Sequence, residues 1–141
     1  MEIKFKKYES RRGVNESNPK EISMYKREKK GKKGSSSFRI GIPKSYIKDG
    51  DKFIRFGNLD NGRFFFATNN NPDLEGNLRL TNFRQKLKKY ADVNCKELML
   101  DFVDFYNLTN SVDVSFKCYV NFDVNLGVYV IGDVRTKKYF N

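Results

Sequence analysis

No histidine occurs in these 141 residues. Its absence removes Ser-His-Asp and Cys-His nucleophile pairs, imidazole acid–base chemistry and every zinc site built on imidazole. Hydrolysis by carboxylate-held magnesium survives that exclusion. The acids, however, stand singly (Asp49, Asp51, Asp60, Asp73, Glu75, Asp92, Glu97, Asp101, Asp104), and no pair carries a catalytic spacing. The expectation is a protein that is not an enzyme, with no catalytic residue, no metal and no cofactor. Cysteine is nearly as scarce. Cys95 and Cys118 make neither a disulfide framework nor a metal motif, and read as reduced thiols packed as small hydrophobes in a cytoplasmic protein. No run approaches the roughly 18 apolar residues of a membrane span, so no membrane association is expected. The opening MEIKFKKYESRRG has no apolar segment of the signal-peptide kind.

What the chain does have is aromatic side chains and positive charge. Phe and Tyr supply an aromatic fraction of 15%, enough apolar area to argue for a folded core despite a mean hydropathy of -0.72. The net charge is +11 and unevenly placed. Residues 1–48 hold 15 Lys/Arg against 5 Glu, a balance of +10, while residues 49–141 hold 13 against 12, a balance of +1. A solubilising surface mixes its signs. Segregated charge points to an acidic partner, most often nucleic acid.

The densest part is Lys26, Arg27, Lys29, Lys30, Lys32 and Lys33, offset only by Glu28. Gly31, Gly34 and Ser35–Ser37 follow, and the pattern then turns into the alternating strand Phe38–Ile42. A basic N-terminal arm with possible short strands (1–36), a β-barrel-like core (37–133) and a short basic tail (134–141) are therefore expected. Glu21–Tyr25 alternates and reads as one of the arm's strands. Within the core, Pro43 ends a strand because it has no N–H to give. Lys48–Asp51 is a turn, and Lys52–Phe56 and Arg63–Ala67 form a hairpin around Asn61-Gly62. A short strand follows at Leu78–Leu80.

Asn82 with Gln85 has capping-box spacing, and Phe83, Leu87 and Tyr90 share a stripe, which predicts a helix at about 82–91. Leu98, Leu100 and Phe102 then read as a strand. Even positions from Val112 to Val130 are all apolar, too long for one ordinary strand, so a hairpin near Asn121–Asn125 or a strongly bent strand is expected. The fold class is mainly β: a small barrel or pseudobarrel of about eight short strands with one helix, an architecture that hides its edges.

Arg39-Ile40-Gly41-Ile42-Pro43-Lys44, with Gly50-Asp51-Lys52 after it, resembles the AbrB/MazE swapped-hairpin family, in which a strand ends in I-P-K before a Gly-Asp turn. A second strand–connector–strand unit, Leu78–Phe102, makes the chain similar to the duplicated DNA-binding pseudobarrels of plant auxin-response-type factors and of some restriction endonucleases. The swapped-hairpin family places two or three helical turns where only Ser45–Asp49 intervene here, a departure that favours the monomeric pseudobarrel over a swapped dimer. Monomer and homodimer both stay open. The resemblance implies that Arg39 and Lys44, with Arg55 and Arg63 as neighbours, enter a DNA groove.

Double-stranded DNA is the favoured partner, with the arm lysines neutralising phosphates and the arginines reading bases at about 1–3 kcal/mol per bidentate contact. Single-stranded DNA or RNA stacked on Tyr46 and Phe64–Phe66 is an alternative. A protein partner is another, as in a small phage or mobile-element inhibitor of a host nucleic-acid enzyme.

Overall fold

In Glu21–Arg27 (β1) every second side chain, Ile22, Met24 and Lys26, turns inward and is buried, while Ser23, Tyr25 and Arg27 face out. The same period of two buries Phe38, Ile40 and Ile42 in Ser37–Pro43 (β2) and Val114, Phe116 and Cys118 in Asp113–Asp123 (β7). These strands belong to a computed structural model that describes residues 19–28, 36–82 and 87–140. The others are Phe53–Asn58 (β3), Phe64–Asn69 (β4), Leu78–Arg79 (β5), Tyr90–Asn94 (β6) and Val128–Phe140 (β8).

All pairings are antiparallel, in the order β5-β3-β4-β8-β7-β1-β2-β6. The two edges of that sheet meet at one residue pair. Thr81, just past β5, exchanges two backbone hydrogen bonds of 2.9 Å with Asp92 of β6, nearly closing the sheet into a barrel.

Its interior is aromatic and aliphatic. Helix Lys96–Phe105 (α1) buries Leu98, Met99, Phe102 and Val103 against it, with the Phe102 ring 4.4 Å from Phe64 and 6.0 Å from Phe56. Lys26 is 1% exposed, and its Nζ donates to the carbonyl oxygens of Asn110 (2.9 Å) and Val112 (3.1 Å). A buried ammonium is tolerated because those two carbonyls replace its water.

Three expectations need correction. The helix is not at 82–91. Asn82 has φ 62°, in the left-handed region, and gives its side-chain N–H to Asp92 Oδ2 (2.6 Å). Leu87 is 97% exposed, and Tyr90–Asn94 is β6; residues 83–86 lie outside the described set. The helix is instead Lys96–Phe105, where Leu98, Leu100 and Phe102 read as a strand. Leu98, Met99, Phe102 and Val103 fall at i, i+1, i+4 and i+5, a helical stripe that period-two counting overlooks. The supposed second strand–helix–strand unit is thus strand–strand–helix.

Next, β1 is no strand of a detached arm: it pairs with β7 on one side and β2 on the other, inside the barrel. Finally, the segment 134–140 is not a tail but the second half of β8, paired with β7 out to Phe140. The long apolar alternation does break into a hairpin. Its turn lies at 124–127, where the Asp123 carboxylate accepts the N–H groups of Asn125 and Leu126 and Gly127 takes φ 69°.

Candidate nucleic-acid interface

The outward side chains of β1 fix the site. Tyr25 stands opposite Arg39 of β2 on one side and Ser115 of β7 on the other, and Ser115 stands opposite Lys138 of β8. Register thus lays four strands' side chains in one row. The Arg39 guanidinium lies 5.6 Å from the Tyr25 ring centroid. Tyr25 meets Phe140 edge-on at 6.1 Å, and Lys138 Nζ lies 5.3 Å from the Phe140 ring. Cation, aromatic, aromatic, cation therefore alternate across the outside of the barrel. Lys117 and Arg27 are exposed on the same face. Among the described residues, Arg27, Arg39, Lys117 and Lys138 are paired with no carboxylate.

Beside this row the face is concave. Ser23 and Gly41 are neighbours on β1 and β2 and supply a floor almost without side chains. Tyr90 stands over Gly41, so near that an added Cβ would lie 3.2 Å from its ring. A cleft of about 340 Å³ opens between Tyr25 and Tyr90, lined also by Arg39, Lys88, Lys89 and Asp92. Burial, followed by the field of Glu21, raises the Tyr90 hydroxyl above the ordinary tyrosine range, so it stays protonated at any working pH.

Of the ten cations singled out in the sequence, the six that are described do not converge. Arg27 and Arg39 belong to this face. Lys26, one residue from Arg27, points the opposite way and is buried. Lys44 is half-buried at the start of a 3-10 turn, Lys44–Tyr46, its N–H bonded to the Lys89 carbonyl at 2.9 Å. Arg55 is exposed on β3 opposite Ala67, with β4, β8, β7 and β1 intervening in the sheet between it and Arg39.

Arg63 is tied to Asp133 by a 2.6 Å ion pair, which raises its affinity for its proton further. Lys29, Lys30, Lys32 and Lys33 lie outside the described residues; flanking them, Arg27 and Ser37 are direct partners at one end of the sheet. What residue-by-residue reading missed is Tyr25, Tyr90, Lys117 and Lys138. The signal was available: each sits at the outward parity of its own strand.

Cys95 is half-buried. Cys118 is buried, and burial pushes its thiol up to about 12, so no thiolate forms near neutrality. Among the described residues no three acidic or thiol side chains form a metal-sized cluster, and no helix is long and apolar enough to cross a membrane. No family model, curated protein or solved structure matches the chain.

Proposed function

We propose that the protein is a non-enzymatic nucleic-acid-binding protein that carries a phosphate backbone across the outer face of β6, β2, β1, β7 and β8. The observation behind the reading is the alternation Arg39, Tyr25, Phe140, Lys138, joined by exposed Arg27 and Lys117. Cations without partner carboxylates attract a polyanion by releasing its counterions, and aromatic rings among them accept bases by stacking. Those rings favour a single strand over the duplex expected from the sequence, because a duplex keeps its base faces stacked on one another. The reading stands without the four lysines between Glu28 and Ser36.

The test is fluorescence anisotropy of labelled single-stranded DNA, duplex DNA and RNA titrated with salt. With five phosphates contacted, single-strand affinity should fall about a hundredfold between 50 and 200 mM salt. A flat response on all three ligands would falsify the reading.

A second reading has its own support. At the β7–β8 turn Phe122, Val124 and Leu126 are 52%, 79% and 58% exposed, an apolar knob of a kind that suits a protein partner. If the chain is an inhibitor of a nucleic-acid enzyme, Phe122→Ser with Leu126→Ser abolishes stoichiometric capture of that one enzyme from nuclease-treated extract. Nucleic-acid affinity should not move.

A further inference from the structure

We infer that the cleft between Tyr25 and Tyr90 receives one unpaired guanine of a bound single strand; the inference rests on the nucleic-acid reading above. The cleft's size and floor come first. Ser23 and Gly41 leave about 340 Å³ open on a surface otherwise covered by long side chains, with a tyrosine at either side. Tyr25 and Tyr90 both line the cleft, and base stacking on aromatics is indifferent to which base it is.

Selection has to come from polar groups in the same cleft. Arg39, Lys88 and Lys89 supply positive charge for the phosphate next to the base. Asp92 is the only acid among the described lining residues. Its backbone N–H and C=O are engaged with Thr81, and its Oδ2 accepts from Asn82. Oδ1 has no hydrogen-bond partner among the described residues.

A carboxylate accepts hydrogen bonds and repels carbonyl oxygens. Guanine offers two adjacent donors on its pairing edge, N1–H and the N2 amine. Thymine and uracil offer one N–H between two carbonyls, and cytosine and adenine one amine beside an acceptor nitrogen. In a duplex guanine's donors are already taken by cytosine. The chemistry therefore selects a guanine outside a duplex, with Asp92 as its acceptor and Arg39 holding the chain beside it.

The experiment uses the full chain and three fluorescein-labelled 12-mers: oligo-dT, the same with one central dG, and the same with inosine there, which lacks the N2 amine. The dG probe should bind at least about fivefold tighter than oligo-dT, the range of a two-donor base contact, with inosine between. Asp92→Asn keeps the shape and should erase the dG preference, so that the variant binds the dG probe and oligo-dT within about twofold of each other. Gly41→Val, which displaces the Tyr90 ring lying over it, should lower affinity for all single strands and leave the salt slope unchanged.

Equal binding of the three probes by the unaltered chain overturns the inference. So does a dG preference that survives in Asp92→Asn. Salt-sensitive but base-blind binding would leave the nucleic-acid reading standing, whereas absence of salt-sensitive binding to oligo-dT removes both. Should Asp92→Asn fail to fold by circular dichroism, the inosine comparison on the unaltered chain decides.

Discussion

Two glycines, Gly41 in β2 and Gly57 in β3, occupy comparable outward positions on different parts of the barrel, and both lie beneath an aromatic ring. Over Gly57 the Phe65 ring is so close that a Cβ would lie 2.5 Å from it; over Gly41 the gap to Tyr90 is 3.2 Å. An aromatic laid on a strand glycine restores the packing that the missing side chain forfeits. At Gly57 that is the whole effect, and Phe65 seals the strand.

At Gly41 the neighbours differ. Ser23 is small, and Arg39, Lys88 and Lys89 surround the opening, so the same device leaves a charged cleft. Around β3 and β4 the polar side chains instead answer one another: Thr68 donates to Asp51 at 2.6 Å, and the Asn69 and Asn77 amides pair at 2.8 Å. One region is satisfied internally. In the other, Arg27, Arg39, Lys117 and Lys138 are paired with no carboxylate among the described residues.

Breaking that contrast electrostatically should give the largest effect. Replacing Arg39, Lys117 and Lys138 together by Ala should lower single-strand affinity by more than tenfold at low salt and cut the salt slope by about two. Arg55→Ala, equal in kind but on β3, should change neither; anisotropy at several salt concentrations measures both.

The glycines sharpen it sterically. Gly57→Ala drives a Cβ into Phe65 and should cost about 1–3 kcal/mol in urea unfolding. Gly41→Ala needs Tyr90 to shift only a few tenths of an ångström and should cost under about 1 kcal/mol while weakening single-strand binding.

Adjacent residues of β1 provide the next comparison. Lys26→Met strips two partly buried carbonyls of their donor and should destabilise by about 1–3 kcal/mol without altering the salt slope; Arg27→Met should do the reverse. The smallest expected effect belongs to Arg63→Ala. It removes a surface ion pair worth about 0.2–1 kcal/mol, and binding should stay as it was.

The sequence made the inside of this barrel readable and left its outside dark. Apolar alternation in 38–42 and 112–130 located β2, β7 and β8, because burial imposes the period of two wherever one face meets a core. It could not say which strands lie side by side. Tyr25, Arg39 and Lys138 are separated by up to 113 residues, and only pairing through β7 brings them together.

Charge counting failed on its own terms at Lys26: as one of a crowded basic run it looks solvated, yet parity with Ile22 and Met24 turns it inward. The helix was misplaced because the five apolar residues in 98–103 satisfy a strand template (Leu98, Leu100, Phe102) and a helix template (Leu98, Met99, Phe102, Val103) at once. Asn82, meanwhile, offered a cap to a segment that leads into a strand.

The seam at Thr81 and Asp92 has a dynamic consequence. Among the described residues the cylinder is clasped at that pair alone and opens there first, so those two amides should exchange with deuterium well ahead of the ladders on either side. The clasp residue is also the acid that lines the cleft. Occupancy by a base would then hold the cylinder shut, and slower exchange at Asp92 would report the ligand from within the backbone itself.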